Sequence, residues 1–137
     1  GIEALLRWQR SDGTMVPPGE FIPIAEETSL ILEIGYWVMK TACAQYSFWL
    51  NRGLQIPHLS VNVSARQFHT QGFVQQVEYI LRDTGVPPSR LLLEVTESVV
   101  LENRQESIAR MRQLKELGIL ISIDDFGTGY SSLAYLR

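Results

Sequence analysis

Oxygen-bearing side chains close a series of apolar runs in this chain of 137 residues. Glu3 and Arg7 fall in the first run, Asn62 ends the second, Glu94 and Glu97 end the third, and Asp124-Asp125 ends the fourth. Carboxylates and an amide are hard donors, the set that suits Mg²⁺, Mn²⁺ or Ca²⁺ rather than a thiophilic metal. Several of them converging could hold two cations, which activate a water and clamp a phosphoryl group for in-line attack. The two histidines, His58 and His69, fall in predicted loops without ligand spacing, which argues against zinc.

Each acid also has a plainer reading. A single strand-end glutamate is often a solvated loop charge, and Asp124-Asp125 could cap the helix that follows. Against that, two adjacent acids closing a short apolar strand repel each other, and a cation removes the repulsion more simply than solvent does. Arg7 lies just beyond Leu5 in an apolar run, and a buried guanidinium needs an anion or a carboxylate. Phosphate clamp and salt bridge both remain open for it. Gly127-x-Gly129-x-x-Ser132 resembles a dinucleotide-binding glycine loop, but the third glycine is absent and the preceding acids would repel a pyrophosphate. A tight turn accounts for the glycines better.

The elements that position these residues follow from periodicity. Ile2–Trp8 reads as a short strand, Ser11–Thr14 as a turn and Val16–Gly19 as a second break. Phe21–Leu50 is helical in pattern, with Gly35 as a candidate division into two helices. Leu59–Val63 alternates as a strand. Phe73, Val74, Val77, Ile80 and Leu81 make a helical stripe closed by Gly85. Leu91–Val95 and Ile119–Ile123 are apolar strands. Between them, Asn103 and Glu106 form a capping pattern ahead of a helix stopped by Gly118, and a further helix is predicted from Tyr130.

Strand and helix thus alternate through four βα units, which predicts a parallel sheet covered on both faces. A doubly wound open sheet and a (β/α)₈ barrel both fit, and four units are about half of a barrel of roughly 250 residues. In either, function sits at the carboxyl ends of the strands, where the acids fall.

Composition limits the partners. With 45% hydrophobic and 20% charged residues and a net charge of −3, the chain has ordinary globular composition and no bulk attraction for a nucleic-acid polymer. Its single cysteine, Cys43, reads as a small core residue and permits no internal disulfide, which suits a reducing, cytoplasmic setting. No apolar run reaches the ~18 residues of a membrane span. The opening residues lack the basic region of a signal peptide and start inside an apolar run, so the chain reads as a piece truncated at both ends. Trp8, Trp37 and Trp49 are expected in the core. Glu26-Glu27, Arg110-Met111-Arg112, Lys40 and Lys115 are expected on solvated helix faces.

Five motifs in order resemble the EAL family of bacterial signalling domains: Glu3-Ala4-Leu5-Leu6-Arg7-Trp8, Phe21–Glu26, Ser60–Phe68, Glu94–Ser98 and Asp124–Ser132. The resemblance covers essentially the whole chain. It implies a partial (β/α)₈ barrel and metal-dependent hydrolysis of cyclic di-GMP to the linear dinucleotide with two Mg²⁺ or Mn²⁺ ions. By resemblance, Glu3, Asn62, Glu94 and Asp124 are metal ligands, Asp125 serves the second metal, and Arg7 contacts a substrate phosphate. Glu97 then holds the loop beginning at Asp125. The family's later strands supply a lysine near the attacking water, and the chain reaches Arg137 without that motif, so weak or no turnover is expected of it alone. Ser29 stands where a glycine is common in the family. The resemblance also implies a homodimer and fused sensor or cyclase domains, with a membrane tether possible elsewhere in a longer parent. The alternatives are a non-catalytic cyclic-di-GMP receptor and a regulatory dimerisation module.

Overall fold

The structure, a computed structural model, describes residues 1–124. Strand β1 (Ile2–Ala4) leads into a small hairpin of β2 (Trp8–Gln9) and β3 (Met15–Val16). Helices α1 (Pro18–Glu27) and α2 (Leu30–Asn51) follow, then β4 (Leu59–Asn62), α3 (Ala65–His69) and α4 (Phe73–Thr84). A 3₁₀ turn, Pro88–Arg90, enters β5 (Leu91–Thr96), and α5 (Glu97–Glu102), α6 (Arg104–Glu116) and β6 (Leu120–Asp124) complete the described chain.

The strands β1, β4, β5 and β6 pair in that order, each parallel to the next. An order that never reverses has no topological switch point, so it fits a barrel wall and not a doubly wound sheet. Burial gives the same answer. Leu59, Val61, Leu91, Leu93, Val95, Ile119 and Ile123 belong to one apolar core with Met39 and Tyr46 of α2, Val77 and Ile80 of α4, and Met111 and Leu114 of α6. The alternate residues Glu3, Asn62, Glu94 and Thr96 lie on the opposite face, which no described helix covers. This corrects the expected cover on both faces. A barrel fills its second face with interior side chains from its own strands rather than with helices.

Local chemistry explains the helix boundaries. Pro18 occupies the first turn of α1, where a missing N–H costs nothing, so the helix starts ahead of Phe21. The predicted helical stretch is indeed two helices, but it divides at Ser29, which takes a left-handed conformation at φ 63°, and not at Gly35. Ser64 caps α3 by accepting from the Gln67 N–H at 3.1 Å. Gly85, at φ 77°, ends α4 as predicted. Asn103 does not cap α6 through its side chain, and instead donates to Glu106 Oε2 at 2.7 Å.

Three surface expectations change. Arg110 is largely buried: it donates to the Phe68 carbonyl and, at 2.8 Å, to that of Thr70, and pairs with Glu106 at 2.9 Å. Trp37 and Trp8 are exposed rather than core, while Trp49 is half-buried. Lys40 and Lys115 are exposed, as expected.

Candidate metal and phosphodiester site

The ladder places the acids on one face. Glu3 stands opposite Ser60, Asn62 opposite Glu94, and Thr96 opposite Asp124. Taking Glu3 and Ser60 as one level, Asn62 and Glu94 lie two residues further along and Asp124 two further again. In a tilted barrel of eight strands, residues at equal height advance by about one residue per strand. The staircase from Glu3 to Asp124 has that slope, so tilt brings these positions towards one rim.

Their surroundings differ. Glu3 and Asn62 are exposed and Glu94 is half-buried. Glu97 is buried and begins α5, where the helix dipole favours an acid. Arg7 is exposed, and its Nη1 donates to the Leu6 carbonyl at 2.9 Å. It makes no ion pair among the described residues, so the salt-bridge alternative has no partner there. Among the described residues, no three His, Cys, Asp or Glu side chains gather tightly enough to hold a cation by themselves. Glu3 and Glu94 are brought to one face with Asn62, and Asp125 and the glycine loop lie outside the described residues.

The histidines stay apart from this rim. His58 precedes β4, and His69 ends α3 rather than lying in a loop, with its Nε2 3.0 Å from the Val99 carbonyl. Cys43 is fully buried, and burial pushes its thiol up to about 12.

A cavity of about 280 Å³ adjoins the rim. Asn62 and Arg7 line it, together with Glu26, Ser64 and Gln67. Glu26 was expected on a solvated face and is instead half-buried against this space. Gln67 carried no functional reading in the sequence. The available signal was Gly35, an unexplained glycine in a helical run whose α-carbon proves to face the Gln67 amide.

A parallel barrel wall with oxygen-bearing side chains at its strand ends is an arrangement suited to hard cations and phosphate groups. The chain belongs to the EAL domain family, whose description matches residues 1–137. It is 47% identical over its full length to the bifunctional diguanylate cyclase/cyclic di-GMP phosphodiesterase MucR of Pseudomonas aeruginosa, covering 20% of that protein. It is 46% identical to the signaling protein YkoW of Bacillus subtilis, covering all of this chain and 17% of that one. The PaMucR phosphodiesterase solved as a c-di-GMP complex superposes with a TM-score of 0.91 at 47% identity, over 98% of this chain and 54% of that one. The chain therefore spans about a fifth of these curated relatives and about half of the solved structure. No helix among the described residues is long and apolar enough to cross a membrane.

Proposed function

We propose that this chain carries the strand-end acids of a cyclic-di-GMP phosphodiesterase that opens the cyclic dinucleotide to linear pGpG. The carrying observation is the shared-face staircase of Glu3, Asn62, Glu94 and Asp124. Support comes from the family and from the relative solved as a c-di-GMP complex.

The donors fit a hard cation. All supply oxygen, and Glu3, Asn62 and Glu94 lie on the face that no described helix covers, within reach of a hydrated ion. Glu3, Asn62, Glu94 and Asp124 would hold Mg²⁺ or Mn²⁺, and Asp125 would serve a second ion. When bound, such a pair supplies the positive charge that stabilises a phosphoryl group during in-line displacement. Arg7, exposed and without an ion pair among the described residues, would bind a non-bridging phosphate oxygen. Glu97, buried at the start of α5, would position the loop that follows Asp124.

The lysines favour a second statement, about this chain alone. Lys40 and Lys115 are exposed on α2 and α6, away from the strand ends, so neither stands near a water attacking a phosphate at the rim. We place efficient turnover in a longer cytoplasmic protein, built as a homodimer with fused sensor or cyclase domains. Chromatography of the linear product, with Mn²⁺ and then with excess chelator, tests the reading. Product that forms equally well under chelation contradicts it.

A further inference from the structure

Two short helices follow strands that carry the rim: α3 starts at Ala65, shortly past Asn62, and α5 starts at Glu97, directly after β5. Helices of five and six residues are weak by themselves, and their final carbonyls lack partners within the helix. Side chains of α6, with His69, supply those partners. Arg110 donates to the carbonyls of Phe68 and Thr70 at the end of α3, and Glu106 holds its guanidinium at 2.9 Å. Ser107, fully buried, donates to the Val99 carbonyl of α5 at 3.3 Å. His69 Nε2 meets the same carbonyl at 3.0 Å. A carbonyl only accepts, so Nε2 carries the proton and, in the neutral ring, Nδ1 keeps a bare lone pair. Nδ1 is buried with no hydrogen-bond partner among the described residues, a local cost that a leucine would avoid.

We propose that His69, Ser107 and Arg110 form a clamp of positioning residues that fixes Asn62, Glu94 and Glu97 relative to Asp124, an inference that rests on the metal reading above. The connectivity carries it. Arg110 ties α6 to the turn that follows β4. Ser107 and His69 tie α5, and with it Glu97, to α6 and α3. α6 then runs through Gly118 into β6, whose last residue is Asp124. One helix is thus bonded to the segments after two rim strands and is itself the lead-in to a third. Donors from different strands serve one ion only if their relative heights are held. Apolar packing is non-directional and lets elements slide, whereas a hydrogen bond to a backbone carbonyl fixes height. The three residues act through the backbone and are distinct from the metal ligands.

Titrating Mn²⁺ into the full chain, with free ion followed by electron paramagnetic resonance, tests the clamp without turnover. His69→Leu should weaken Mn²⁺ binding about tenfold, the lower end of what losing a supporting residue costs a metal site. Its melting temperature should barely change, since one hydrogen bond and one stranded nitrogen leave together. His69→Gln can still donate to the Val99 carbonyl and should recover most of the affinity. Ser107→Ala should weaken binding in the same direction as His69→Leu. Cys43→Ala thins the core on α2, away from the clamp, and should melt earlier while binding Mn²⁺ as the parent does. Unchanged affinity in His69→Leu, or affinity that merely tracks melting temperature across the variants, overturns the clamp and leaves the functional reading intact. Wild-type chain that takes up no Mn²⁺ overturns both.

Discussion

Asn62, the last residue of β4, stands directly opposite Glu94 of β5 in the parallel ladder. Neighbours in register share a face, so the amide and the carboxylate reach the same side of the sheet. In the proposed site the two would share one cation and act as a unit, so their losses should not add. Asn62→Leu and Glu94→Gln should each weaken Mn²⁺ binding more than about tenfold, in line with the cost of disturbing a metal site. The double variant should be little worse than the weaker single. Fully additive losses would place the two side chains in separate sites.

Ser29 holds a left-handed conformation at φ 63° between α1 and α2. A side chain there costs roughly 1 kcal/mol or more, which glycine avoids. Ser29 Oγ recovers part of the cost by accepting from Arg66 Nη1 at an exposed position. Ser29→Gly should stabilise the chain by about 0.5–1 kcal/mol in urea titration. Ser29→Ala keeps the strain, loses the hydrogen bond and should destabilise. Equal behaviour of the two variants would remove backbone strain as the explanation.

Cys43 is fully buried, and desolvation raises its thiol from 9.0 to about 12. Between those values the unfolded chain binds fewer protons than the folded one, so stability falls as pH rises from about 9 towards 12. Below about 9 this group contributes no pH dependence. Native protein at pH 8 should react with a thiol reagent only as fast as it opens, and urea should release the thiol at once. Rapid native labelling would contradict the burial.

The parts of the fold set by apolar periodicity were legible in the sequence. The strands near Leu59, Leu91 and Ile119 and the stripe from Phe73 to Leu81 lie where the pattern predicts, because alternation and helical spacing report burial directly. The break at Ser29 was not, since nothing in serine marks a left-handed turn. Arg110 looked like a surface cation because the carbonyls it serves, on Phe68 and Thr70, lie some 40 residues away in sequence. Glu26 and Gln67 escaped for a related reason: a cavity is made by elements distant in sequence. The strand-end acids stood out because charge at the close of an apolar run is locally unfavourable. Cover on one face only could not be read, since barrel strands and doubly wound strands are equally apolar.

The strand-end acids are proposed to support cyclic-di-GMP hydrolysis. The most direct measurement is formation of linear pGpG in Mn²⁺ by a chain extended to the length of the solved relative, beside its Glu3→Ala and Asp124→Ala variants. Product should form with the parent sequence and none above background with either variant. Turnover retained by either one would contradict that role.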